Sequence, residues 1–168
     1  TKFSHDNEIA KPYYYKVLLD NGISTEISPT ERGAHLRFQF PKNQNAYLVL
    51  DGYTGLSEVN IDVKKHRITG YVNNGRGMQR FDGNFKNYFV IQFDKVFTHQ
   101  GQIVQAKIAS SYISLEQAEV NLKSELGQHK NLETTKELAK NVWNKQLNKI
   151  VVEGGTEEQL KTVYSCFF

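Results

Sequence analysis

Apolar and polar positions alternate through the first two thirds of the chain and then recur every third or fourth residue, which predicts strands followed by helices. Residues 13–19 form an aromatic and aliphatic run broken by Lys16, Asp20-Asn21-Gly22 supplies a tight turn, and residues 23–27 resume the alternation. That is a β-hairpin pattern. Further strands are expected at 34–40, where Leu36, Phe38 and Phe40 share a face, and at 46–51, 57–63, 67–72, 87–93 and 103–112. Short strands at this spacing predict an antiparallel sandwich or barrel.

After Tyr112 the period changes to about 3.6. Ser114-Leu115-Glu116-Gln117 is a capping box, and Leu115, Ala118, Leu122 and Leu126 form a stripe that ends before Gly127. A second helix is expected over 132–148, with Leu138, Ala139, Val142, Trp143 and Leu147 on its apolar side. A third starts at Thr156, an N-cap with Gln159 three residues on and with Glu157 and Glu158 at the positive end of the dipole. Its apolar face, Leu160, Val163, Tyr164, Phe167 and Phe168, runs to the last residue without a C-cap, so the helix reads as cut. Strands first and helices afterwards give a mainly β, α+β class.

The length of 168 residues fits one main domain, and 39% hydrophobic with 23% charged residues argues against disorder and fibrous classes. No apolar run approaches the roughly 20 residues that span a bilayer, and residues 1–6 lack the apolar stretch of a signal peptide. The net charge of +3 is interleaved with carboxylates and forms no stripe, which argues against nucleic-acid binding. The single cysteine, Cys166, rules out an internal disulfide and is expected to be buried on the last helix.

Candidate chemistry is sparse. His5-Asp6-Asn7-Glu8 could share a cation or pass a proton, and its plainer reading is that His5 and Glu8 pin the approach to the first strand through bonds to backbone. His35, His66, His99 and His129 have no zinc-site spacing. Tyr13-Tyr14-Tyr15 could stack on a sugar, but alternation along a strand favours sheet packing, with Tyr14 turned to the core. Asn73-Asn74-Gly75-Arg76-Gly77 lacks the rest of a phosphate loop and reads as a turn. Trp143 reads as a packing anchor. Asp51, Asp62, Asp82, Asp94 and Glu153 are available for glycosidase chemistry, but spacing cannot pair them.

Several stretches taken together resemble glycoside hydrolase family 92, the calcium-dependent exo-acting α-mannosidases. Phe3-Ser4-His5-Asp6-Asn7-Glu8 with Ala10, Pro12, Tyr13 and Tyr14 is similar to the family's F-S-H-x-N-E…A-x-P-G-Y-Y segment. Tyr88-Phe89-Val90 with Phe93 and Phe97 resembles its Y-F-V-x-x-F-x-x-x-F strand. Ser111-Tyr112-Ile113-Ser114 with Gln117, Ala118, Asn121 and Leu122 resembles the strand-to-helix step after it. Trp143-Asn144, Leu147, Lys149, Ile150, Val152 and Glu153-Gly154-Gly155-Thr156-Glu157-Glu158-Gln159 complete the series in the family's order. Tyr13 stands where the family has Gly, and Val142 where Ala is common.

The resemblance implies an antiparallel β-sandwich over 1–113, lacking its N-terminal strands, linker helices over 114–153, and over 154–168 the first helix of an α/α-toroid catalytic domain otherwise absent from the chain. It implies hydrolysis of terminal α-linked mannose, α-1,2 foremost, from mannan or N-glycans with inversion, with calcium helping to distort the sugar ring. The family's acidic residues and calcium ligands lie mainly in the helical domain, so no catalytic or metal residue is assigned here and the chain alone is expected to be inactive. His5 and Glu8 are the candidates for a place near the domain interface or the substrate. The implied partners are mannose-containing glycans and the catalytic domain, with self-association of the fragment through its last helix, and the implied location is periplasmic, cell-surface or secreted. The alternative is a complete, non-catalytic carbohydrate-binding or protein-interaction sandwich.

Overall fold

The structure, a computed structural model, describes residues 2–43, 45–52, 57–73, 84–95 and 101–166. Its strands are β1 (Phe3–Lys11), β2 (Tyr14–Leu19), β3 (Ser24–Pro29), β4 (Gly33–Gln39), β5 (Glu58–Asp62), β6 (Arg67–Asn73), β7 (Lys86–Phe93) and β8 (Ile103–Ser111). Helices α1 (Leu115–Leu126), α2 (Leu132–Leu147) and α3 (Glu157–Ser165) follow. The strands form one antiparallel sheet in the order β1-β2-β3-β4-β8-β7-β6-β5, so β8 returns to lie between two meanders. The class is the one expected, antiparallel β followed by helices. The hairpin is also in place: Leu18 faces Ser24, and Gly22 in the turn has φ +81°, a left-handed conformation that suits glycine.

Two local expectations are corrected. Residues 46–51 carry no strand. Their alternation is real, since Leu48 and Leu50 line a groove with Ile61, Ile68 and Ile91 while Tyr47 and Val49 are 75% and 85% exposed, but it is not part of a ladder. Conversely, Phe3–Lys11 is itself a strand, hidden in sequence because its polar run lacks alternation.

Register divides the sheet into two unlike faces. One is apolar: Leu36 and Phe38 of β4, Val104, Ala106 and Ile108 of β8, Phe89, Ile91 and Phe93 of β7, and Ile68 and Val72 of β6, with Phe40 and Ala46 packed over it. The other carries a lateral row of polar residues, Ser28, His35, Lys107, Gln92 and Arg67, each opposite the next. Helices α1 and α2 cover this second face. Helix α1 lays Ala118, Leu122 and Leu126 on Val90 and Ala109; Leu126 and Val90 are fully buried, each stabilising by roughly 1.5–3 kcal/mol.

Helix α2 docks through only the first turns of its apolar side, because Leu138, Ala139 and Val142 follow Thr135 at i+3, i+4 and i+7 on the same face. Its buried residues are Leu132 and Thr135, whereas Leu138 and Val142 are 48% and 60% exposed. Leu138, Ala139, Val142 and Trp143 instead line a groove of about 430 Å³ with Pro12, Pro29 and Glu125. Helix α3 has the expected capping box, in which Thr156 and Gln159 bond each other's backbone, and buries none of its own residues. Cys166 is therefore exposed, contrary to expectation. Phe167 and Phe168 lie outside the described residues.

Gly70 sets how closely β5 approaches β6. A Cβ there would lie 1.9 Å from the Glu58 carbonyl oxygen and 3.0 Å from the Phe89 ring, a backbone clash that no rotamer relieves. Gly70→Ala is expected to cost about 1–3 kcal/mol, read as a lower urea midpoint. A wild-type midpoint would show that β5 can shift freely.

Candidate functional site

The sequence candidates His5 and Glu8 meet on the outer strand. In a regular strand residues i and i+3 point to opposite faces, so their contact needs an irregularity. Strand β1 supplies one: between the pairs Phe3–Leu19 and Glu8–Val17 it advances five residues while β2 advances two. The surplus bulges outward. Ser4 Oγ and Asp6 bond to each other inside the bulge, and His5 Nδ1 comes to 2.7 Å from Glu8 Oε2. The expectation that the pair bonds to backbone is thus replaced by a direct side-chain contact.

The two ends of the pair differ in exposure. The Glu8 side chain is 18% exposed and the His5 ring 89%. The Phe3 ring meets the imidazole edge-on, with centroids 5.5 Å apart. From β2, the Tyr15 phenol hydrogen-bonds Glu8; partial burial, then the Glu8 charge and this bond, hold its pKa above the usual range. Glu8 therefore anchors two neighbours, and His5 offers solvent an imidazole whose Nδ1 is already engaged. Sequence had set Tyr15 apart from this pair, because the link depends on β1 pairing through Ala10–Tyr15.

The set of one imidazole, one carboxylate and one phenol comprises groups that exchange hydrogen bonds with hydroxyls. Inverting hydrolysis needs two carboxyl groups roughly 6.5–9.5 Å apart, with a water between base and sugar, and the set does not provide them. Nor does it fit calcium, which takes 6–8 oxygen ligands; among the described residues no group of three or more His, Cys, Asp or Glu side chains is placed to hold a metal ion.

The other histidines serve elsewhere. His35, 2% exposed, and His129 both reach Thr135 Oγ1, at 3.0 and 2.9 Å from their Nδ1 atoms. His66 stands in the β5–β6 turn with φ +52°. His99, Asp82 and the 74–77 part of the glycine-containing turn lie outside the described residues. Next to the histidine cluster, Tyr14 Oη donates to Glu26 at 2.5 Å, Arg37 forks onto both Glu26 oxygens at 2.9 and 2.7 Å and also pairs with Glu133, and the Lys136 ammonium lies 3.7 Å from the Tyr14 ring centroid. Tyr14 is buried, as the alternation predicted, but in this polar network.

The sequence profile of the glycosyl hydrolase family 92 N-terminal domain matches residues 1–141, and that of the family's catalytic domain matches residues 117–168. The chain belongs to glycosyl hydrolase family 92. A family 92 inverting mannosidase from Bacteroides thetaiotaomicron is 33% identical to it, with a TM-score of 0.84 over 98% of this chain. A second family 92 α-mannosidase of that organism (21% identity, TM-score 0.73, 92% of this chain) and a further family 92 glycosyl hydrolase (16%, 0.77, 98%) share the fold. The family 92 chain described here spans about a quarter of those structures, 26%, 26% and 28% of their lengths. Comparison with curated proteins finds no match.

Proposed function

We propose that this chain is the sheet-bearing portion of a family 92 exo-α-mannosidase. The complete protein removes terminal α-linked mannose, α-1,2 linkages foremost, from mannan or N-glycans with inversion. The observation that carries this reading is the 33% identity to an inverting mannosidase, extending over 98% of the chain.

Residues 1–113 form the sheet domain, 114–153 the linker helices, and the segment from 154 begins the catalytic domain. In that domain a carboxylic acid protonates the leaving oxygen and a carboxylate activates water. The His5–Glu8–Tyr15 set does not fit calcium, which would be held by residues other than these and would supply Lewis-acid binding of sugar hydroxyls. The uncovered apolar faces of α2 and α3 support the existence of further helices to pack on them. The protein acts at the cell surface or in the periplasm, or is secreted. His5, held by Glu8, contacts a substrate hydroxyl at the junction of the two domains.

The test uses the full-length protein with calcium on α-linked mannobiosides. NMR of the first product should show β-mannose, and His5→Ala should raise KM about tenfold with a smaller change in kcat. Retention of the anomer, or turnover by residues 1–168 alone that is lost when one of their carboxylates is changed, overturns the proposal.

A further inference from the structure

Within the polar row under the helices, a cleft of about 170 Å³ opens between the ends of β7 and β8 and the α1–α2 turn, lined by His35, Gln105, Lys107, Lys130, Asp94 and Gln92. Its charges are out of balance. The Lys107 ammonium donates to the Leu126 carbonyl at 2.9 Å, at the negative end of α1, and this uses one of its three hydrogens. Neither Lys107 nor Lys130 forms an ion pair with a carboxylate among the described residues. Burial alone lowers the Lys107 pKa; burial first, and then the Lys107 charge, depresses those of His35 and His129. A partly buried cation with no counter-charge is costly unless a partner binds.

The remaining lining supplies donors. Gln105 Oε1 accepts the Leu132 amide, which leaves its NH2 group as a donor. The His35 ring is bonded to Thr135 through Nδ1, which leaves Nε2. The Gln92 amide is committed to the carbonyls of Lys65, His66 and Phe93. Asp94 Oδ1 accepts the Gln105 backbone N–H at 2.9 Å. Two cations outnumber the one carboxylate of Asp94, and with an amide and an imidazole this net positive lining matches a group that accepts several hydrogen bonds and carries negative charge.

We propose that this cleft binds a small tetrahedral oxyanion, a sulfate or phosphate group, either free or as a sugar ester, with Lys107 and Lys130 supplying charge and Gln105 and His35 supplying hydrogen bonds. The site lies on the helix-covered face, whereas His5 and Glu8 belong to the outer strand, and it does not depend on the glycosidase reading.

The full-length protein is titrated calorimetrically with sodium sulfate, mannose 6-phosphate and mannose at fixed ionic strength. Saturable sulfate binding that weakens about tenfold in Lys107→Met and in Lys130→Ala supports the site. Lys130 is exposed, so its variant keeps the fold. Sulfate and mannose 6-phosphate of equal affinity identify a site for the free ion. Tighter mannose 6-phosphate binding that keeps the same dependence on both lysines identifies a sugar ester. Binding of neither anion, or binding unchanged in both variants, overturns the proposal.

Discussion

Arg37→Met is expected to lower folding stability by about 3 kcal/mol, near the bottom of the range for breaking a buried ion pair, because the Arg37 side chain is 25% exposed. The loss comes from what remains. Glu26, 7% exposed, would keep the Tyr14 hydroxyl and the charge of Lys16 but lose its Arg37 fork, and the link from Arg37 to Glu133 on α2 would vanish. Burial by itself would raise the Glu26 pKa, but hydrogen bonds from Arg37 and Tyr14 outweigh it and hold the carboxylate below its usual range. Removing Arg37 takes away both a bond and a charge that lower the Glu26 pKa. A double-mutant cycle in denaturant separates this from lost packing: Glu26→Gln with Arg37→Met should be less destabilised than the sum of the single variants, because no buried charge is left unpaired. Strict additivity would mean that the two side chains stabilise independently, contrary to their geometry.

The second large effect is a loss of stability in mild acid. Burial, then the neighbouring charge of Lys107 and that of His129, pushes the His35 pKa down from 6.5 to about 4, while Glu133 opposes and Arg37 reinforces the shift. A depressed histidine pKa means that the unfolded chain takes up the proton first. Stability is therefore full above pH 6.5, falls as the pH drops toward 4, and by then is lower by about 3 kcal/mol. The hydrogen-bond arithmetic agrees. The Thr135 hydroxyl satisfies both rings when one Nδ1 carries a hydrogen and the other is bare, and a second ring proton leaves the hydroxyl hydrogen without its acceptor. The measurement is unfolding free energy against pH for wild type and His35→Gln. The variant should show a flatter slope between pH 6.5 and 4; parallel slopes would exclude His35 as the titrating group.

Much of the strand placement along the chain was legible in sequence, because Leu36, Phe38 and Phe40, or Phe89, Ile91 and Phe93, alternate cleanly and pack on one face, whereas the return of β8 between the two meanders was not. Two helix starts were legible for a similar local reason, since Ser114 and Thr156 accept bonds from the amides of Gln117 and Gln159, while the cap of α2, Asn131 with the Thr134 amide, was not singled out. What failed was the inference from pattern to partner. The apolar stripe of α2 names the side that docks but not how far it is covered: Leu132 and Thr135 meet the sheet, Thr135 through two histidines, while Leu138 and Val142 on the same side stay exposed. Cross-strand neighbours 11 or more residues apart, such as Glu26 with Arg37, leave no periodic trace. The His5–Glu8 pair could be named from sequence, but its geometry depends on a bulge that no spacing rule reveals.

That bulge also bears on how the molecule behaves in a crowd. An outermost strand with regular spacing offers a free row of amides and carbonyls to any other extended chain. Among the described residues β1 ends the sheet, with Phe3 and Ile9 exposed at 44% and 46%, enough apolar surface to invite such pairing wherever no further strand covers it. Its surplus residues break the repeat between them, so a second strand cannot zip along the whole edge. A deletion that straightened β1 would be expected to convert a blunt rim into an aggregation seed.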